Sequence, residues 1–109
     1  MSPIDRYRTA LSERSPFSEK SMMGGICFMV GGHMSGGFDH DEGGNPRFMF
    51  RVGKAQYEEA LDQTESRPVI LGSRRMGGMV YVLANDLSRR QLEAWIARTL
   101  KFVAQLPPR

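Results

Sequence analysis

Hydrophobic residues near both ends of the chain recur with the period of an α-helix. At the front, Ile4, Tyr7 and Leu11 have the i, i+3, i+7 spacing of one helical face. Towards the end, Ser88 and Gln91 have the spacing of a capping box that precedes a longer apolar stripe. The stripe consists of Leu92, Trp95, Ile96, Thr99, Leu100, Phe102, Val103 and Leu106. The sequence therefore predicts a helix near each end of the chain.

Between residues 21 and 30 the pattern changes to that of an extended strand. The side chains on one side would be Ile26, Phe28 and Val30, and those on the other Cys27 and Met29. Both sides are apolar, which is typical of a strand that is covered on both faces. We therefore expect a central, doubly covered strand here.

From residue 31 onward the pattern predicts four more strands and a second, short helix. Gly31 and Gly32 permit the positive φ angles of a two-residue hairpin turn. The predicted strands are residues 33–38, 47–52, 69–71 and 79–83. The short helix carries Tyr57, Ala60 and Leu61, and residues 72–78 form a loop that contains Arg74 and Arg75. The order α-β-β-β-α-β-β-α predicts a two-layer α+β fold, an antiparallel sheet of about five strands with packed helices.

Composition and charge are those of an ordinary globular domain. The chain has 109 residues and a net charge of +3, so we expect a single domain over residues 1–109. No apolar run approaches the ~20 residues that cross a bilayer, and the first residues lack the apolar stretch of a signal peptide. Cys27 is the only cysteine, which fits a reducing compartment. We therefore expect a soluble, cytoplasmic protein with no membrane association.

None of the familiar catalytic patterns is complete in this sequence. Cys27 lies between Ile26 and Phe28, where burial would raise the pKa of the thiol and make it unreactive. Ser35 lacks the glycine two positions earlier that a nucleophile elbow requires. The paired glycines do not match a phosphate-binding loop. We therefore expect no catalytic residues and no cofactor.

The sequence leaves two alternative functions open, metal binding and nucleic-acid binding. The first is a small metal-binding protein or enzyme with its site at His33, Asp39 and His40, since zinc binds imidazole together with carboxylate. A solvated acidic loop explains this stretch better. Direct nucleic-acid binding would use two arginine pairs as anion contacts. These pairs are Arg74 with Arg75 and Arg89 with Arg90. No aromatic residues are interleaved with them, so nucleic-acid binding is not favoured.

Methionine is the most informative residue type in the chain. Of eight methionines, several lie in or beside the predicted strands, where they either fill the core or line an adaptable binding surface. The second apolar side of the strand near residue 27 needs a covering element. The candidate surface for a protein partner or for self-association consists of Met22, Met23, Cys27 and Met29. We expect a homodimer to be formed through it.

An ordered set of segments resembles the N-terminal domain of the TfoX/Sxy proteins. The first segments are residues 22–30 (MMGGICFMV) and 32–34 (GHM); the next are 50–53 (FRVG), 57–61 (YEEAL) and 67–68 (RP); the last are 76–82 (MGGMVYV), 92–95 (LEAW), Phe102 and 106–108 (LPP). The resemblance covers most of the chain, from about Glu19 to Pro107.

The resemblance implies a mixed α/β fold and a regulatory role. TfoX is associated with switching on competence genes together with a transcription activator, so the expected function is a non-enzymatic regulatory or protein-binding domain whose partner is a transcription regulator. Full-length members carry a second, helical domain, which we do not expect in a chain of this length. The family offers no catalytic residues to transfer.

Overall fold

The computed structural model describes residues 1–22 and 24–108, in which three α-helices and six β-strands are present. The helices are α1 (Pro3–Ser12), α2 (Tyr57–Leu61) and α3 (Arg89–Val103). The strands are β1 (Ser18–Met22), β2 (Gly25–Val30), β3 (His33–His40), β4 (Pro46–Arg51), β5 (Ser66–Leu71) and β6 (Arg74–Leu83). Short 3₁₀ turns at Lys54–Gln56 and Ala84–Asp86 precede α2 and α3.

The strands form one open antiparallel sheet in the order β1-β2-β3-β4-β6-β5. Neighbouring strands are joined mostly by hairpins, and α2 lies on the connection that carries the chain from β4 to the far edge. The α+β fold with helices packed on an antiparallel sheet is therefore confirmed. Within the described ranges, no helix is long and apolar enough to cross a membrane.

Helix α1 confirms the helix predicted at the front of the chain and packs an aromatic side chain on the sheet. The hydroxyl of Ser2 accepts a hydrogen bond from the backbone N–H of Asp5 (3.3 Å), and Pro3 occupies the first turn. Tyr7 is fully buried and stacks on Phe28 of β2, with ring centroids 4.3 Å apart. The guanidinium of Arg6 donates to the carbonyl of Leu87 (2.6 Å), which connects α1 to the start of α3.

Helix α3 covers the same side of the sheet. The predicted capping box is present: the Ser88 hydroxyl accepts from the N–H of Gln91 (3.1 Å), and the Gln91 side chain accepts from the N–H of Ser88 (2.9 Å). Trp95 stacks on Phe50 of β4 at 5.3 Å. Burying side chains of this size stabilises the fold by about 1.5–3 kcal/mol each. The core thus lies between one face of the sheet and helices α1 and α3.

The predicted central position of the strand near Cys27 is wrong, and the described helices cover one of its two sides. A turn splits the segment into a hairpin of β1 and β2. Strand β1 forms the edge of the sheet, and β2 lies directly beside it. Helices cover only the side of β2 that carries Phe28, and the side that carries Cys27 faces away from them. The sequence prediction omitted β1 because Ser18–Met22 is exposed throughout and polar except for Met22, with no alternation that would indicate a strand.

Two turns decide the remaining connections. Gly31 and Gly32 adopt φ angles of 59° and 82°, which confirms the predicted two-residue hairpin between β2 and β3. The predicted loop over residues 72–78 is wrong, because β5 and β6 are joined by a tight turn at Gly72 (φ 64°). Arg74 and Arg75 therefore belong to strand β6 and not to a loop.

Candidate functional site

The side of the sheet that faces away from the helices carries a methionine-lined groove of about 410 Å³. We call this surface the methionine face. Its lining consists of Met22, Gly25, Ile26, Cys27, Met34, Gly37, Phe38, Asp39, Arg47, Met49, Val69, Leu71, Met76, Met79 and Tyr81. Residues of α1, α2 and α3 do not contribute to it. The groove is therefore formed by the sheet alone.

One row of residues across the strands forms the centre of the groove. Cys27 of β2 pairs with Gly37 of β3, Gly37 with Met49 of β4, and Met49 with Tyr81 of β6. Residues paired directly across strands lie on the same face of a sheet. Gly37 has no side chain, and the methyl of Met49 lies over it, 3.3 Å from the position that a Cβ would take. The missing side chain therefore creates the depression in the middle of the row.

A polar cluster closes one end of the groove. The guanidinium of Arg47 donates to both carboxylate oxygens of Asp39 (2.8 and 3.1 Å) and lies 3.6 Å from the centre of the Tyr81 ring. The hydrogen bond to Asp39 raises the pKa of Arg47, and burial raises the pKa of Tyr81. Because Asp39 and Arg47 neutralise each other, this end brings no net charge to the face.

Sulfur atoms gather at the other side of the groove. The thiol of Cys27 lies 3.5 Å from the sulfur of Met22 and 3.7 Å from the sulfur of Met34. Burial raises the pKa of Cys27, and the nearby ammonium of Lys20 opposes that shift. The thiol is therefore protonated at neutral pH and is a weak nucleophile.

The predicted partner surface coincides with this face only in part. Met22 and Cys27 line the groove. Met29 is on β2, like Cys27, but does not line the groove. Met23 lies outside the described residues. The sequence prediction missed most of the surface, namely Met34, Met49, Met76 and Met79. A usable signal was present at Met49, since it alternates with the core residues Phe48 and Phe50.

Both sheet edges carry residues that hinder the addition of another strand. Strand β1 is exposed at every position and carries Glu19 and Lys20. The carboxylate of Glu19 lies 2.6 Å from the guanidinium of Arg8 in α1. Strand β5 contains Pro68, which lacks a backbone donor. Charged residues and proline at sheet edges discourage the addition of another strand. An incoming partner is therefore better received on the face than at an edge.

The two predicted arginine pairs lie on different elements. Arg75 on β6 donates to the hydroxyl of Tyr57 (2.9 Å), and its neighbour Arg74 is exposed. Arg89 on α3 pairs with Glu93 (2.9 Å) and Glu13 (3.2 Å), and its neighbour Arg90 is exposed. The structure thus leaves Arg89 already neutralised. Nucleic-acid binding through these residues stays a prediction.

The three weak metal candidates have separate partners. His33 places its Nε2 2.6 Å from the carbonyl oxygen of Pro107, and the ring of His40 packs edge-on against Phe38. Asp39 is engaged by Arg47. In the chain as described, without residues 23 and 109, no three His, Cys, Asp or Glu side chains are grouped as a metal site.

The comparisons with known proteins leave the family of the chain open. No family model, no curated protein and no solved structure matches it. The resemblance to the TfoX/Sxy N-terminal domain therefore stays a prediction. The function has to be argued from the methionine face.

Proposed function

We propose that this chain is a non-enzymatic protein-binding domain that self-associates through its methionine face. The observation that carries the proposal is a groove lined by five methionines on the side of the sheet that no described helix covers. Methionine side chains are flexible and polarisable, which suits surfaces that adapt to a partner. Contiguous apolar surface of this kind is typical of interaction sites.

The size of the face suits a second copy of the chain. The six-stranded sheet of the described residues has strands spaced about 4.8 Å apart and roughly 20 Å long, which gives the face ~600 Å² of flat area. A standard protein interface buries about 800 Å² on each partner. A stable dimer would therefore use the whole open side of the sheet and its rim, with the methionine face at the centre.

The charge distribution also permits an identical partner. Two copies that meet face to face remove the charged groups of both faces from water, and a buried charge without a partner is costly. Asp39 and Arg47 form an ion pair within each chain, which removes this obstacle. In contrast, edge-to-edge pairing of two β1 strands about Lys20 would place like charges opposite each other. Face-to-face association is therefore favoured over edge pairing.

A regulatory role is the biological form that we propose for this binding. It is supported by the resemblance to the TfoX/Sxy N-terminal domain, in which competence genes are switched on with a transcription activator. On this view the dimer contacts a protein partner that is itself a transcription regulator.

Light scattering of the purified chain over a concentration series tests self-association. We expect a dimer mass for the natural sequence and a monomer mass for Met49→Glu, because the substitution puts a carboxylate at the centre of the face. Gln105→Glu is the matched control, since Gln105 is exposed near the end of α3, and it should remain dimeric. A natural chain that is monomeric throughout, or a Met49→Glu variant that stays dimeric, would contradict the proposal.

A further inference from the structure

Three sulfur atoms from three neighbouring strands meet on the methionine face. Met22 ends β1, Cys27 lies within β2 and Met34 is near the start of β3. The Cys27 sulfur is 3.5 Å from the sulfur of Met22 and 3.7 Å from that of Met34. We call these residues the sulfur cluster. One thiol hydrogen cannot point at both thioethers at once, so hydrogen bonding alone accounts for only one of these contacts.

The two distances from the Cys27 sulfur to the thioether sulfurs are close to those in a trigonal metal site. A metal ion about 2.3 Å from each of three sulfurs in one plane needs the sulfurs to be about 4.0 Å apart. Both observed distances are within a few tenths of an ångström of this value. Methionine side chains have three rotatable bonds and can make this adjustment without moving the strands. Both thioethers therefore lie within reach of an ion bound to the Cys27 sulfur.

The chemistry of the ligands selects the metal. Thiolate and thioether are soft donors, which prefer Cu(I) over harder divalent ions. Among the described residues no three His, Cys, Asp or Glu side chains are grouped to hold zinc, and Asp39, a carboxylate of the same groove, is paired with Arg47. We propose that the sulfur cluster binds one Cu(I) ion through the thiolate of Cys27 and the thioethers of Met22 and Met34.

Access and electrostatics support the same assignment. Cys27 is only 7% exposed, but in the unassociated chain the cluster borders the groove of about 410 Å³, through which an ion can enter. Met49 places its methyl over Gly37, the residue directly opposite Cys27, so a further thioether is close by. Binding exchanges the thiol proton for Cu⁺, and the proton passes to water. The site therefore gains no net charge.

Anaerobic competition between the protein and a chromophoric Cu(I) chelator of known affinity tests the proposal. We expect one Cu(I) ion to be withdrawn from the chelator per chain, with X-ray absorption showing sulfur ligands only. Zinc(II) should not compete. No withdrawal of Cu(I), nitrogen or oxygen ligands, or equal competition by zinc would overturn the assignment.

Substitution of single methionines distinguishes a Cu(I) site made of three sulfurs from Cu(I) binding by the Cys27 thiol alone. Met34→Leu keeps the size of the side chain but removes its sulfur, and we expect Cu(I) affinity to fall at least about tenfold, as losses around metal ligands usually do. Met79→Leu, in the same groove but outside the cluster, should leave the affinity unchanged. Equal affinities for the two variants would overturn the role of the thioethers. Circular dichroism on both confirms that the comparison is between folded proteins.

Discussion

Tyr7 brings a polar hydroxyl into an aromatic core. Its ring stacks on Phe28 and packs edge-on against Phe48. The hydroxyl is completely buried and has no hydrogen-bond partner among the described residues, and burial raises the pKa of Tyr7. The hydroxyl rests against Gly36, where any Cβ would collide with it. The ring thus stabilises the fold, and the hydroxyl costs free energy.

Removing this hydroxyl should not weaken the protein. For Tyr7→Phe we expect the free energy of unfolding to stay the same or to rise by about 1 kcal/mol, because a buried unsatisfied polar group is lost. Urea denaturation measures the change. Gly36→Ala serves as the opposite case and should destabilise the protein, since its methyl needs the space of that hydroxyl. A clear loss of stability in Tyr7→Phe would show that the hydroxyl has a partner.

For single residues, the sequence predicts which side chains are buried better than it predicts which side chains they contact. The spacing of Ile4, Tyr7 and Leu11 places Tyr7 on the buried stripe of α1, as observed. The close approach of Tyr7 to Gly36 could not be foreseen, because it joins a helix to a strand far along the chain. A bulge is found beside Gly36 in the pairing of β3 with β2.

At the scale of elements, α3 shows how local signals fix a boundary. The capping box at Ser88 and Gln91 satisfies backbone N–H groups that the helix itself cannot pair. The apolar stripe then aligns Leu92, Trp95 and Ile96 with the core. Both signals lie within a few residues of the element that they define. This is why the sequence was sufficient to predict α3.

The cap should contribute measurably to stability. We expect Ser88→Ala to lower the free energy of unfolding by about 1 kcal/mol, since the side-chain acceptor at the N-cap is lost. Ser21→Ala is the control: Ser21 is exposed on β1, and a surface substitution there should stay within about 0.5 kcal/mol of the natural protein. Chemical denaturation of both variants gives the comparison. Equal effects of the two substitutions would mean that the box does not stabilise α3.

Strand β1 shows where local signals fail. Ser18–Met22 has no apolar alternation, and its extended form comes from pairing with β2, in which Lys20 lies opposite Cys27. An edge strand needs no buried side, so hydrophobic periodicity does not mark it. The same pairing shows why Cys27 is not in a central strand. Its position in the sheet depends on a neighbour that the sequence pattern does not reveal.

For the whole molecule, the decisive feature is that helices cover one face of the sheet and leave the other open. Apolar side chains point to both sides of β2, so the sequence indicated that both needed a cover. Which side receives the helices depends on the path of the chain between α1, the sheet and α3, and is not a property of one strand. The exposed groove and its sulfur cluster therefore became visible only in the folded chain.

The most direct test of self-association through the methionine face follows the methionine methyl groups by NMR during dilution, with ¹³C-methyl labelling. We predict that the groove methyls change with protein concentration, whereas Met1, which is 85% exposed on the helix side, does not. The groove methyls belong to Met22, Met34, Met49, Met76 and Met79. Signals that are independent of concentration, or that shift for Met1 as much as for the groove, would contradict the account.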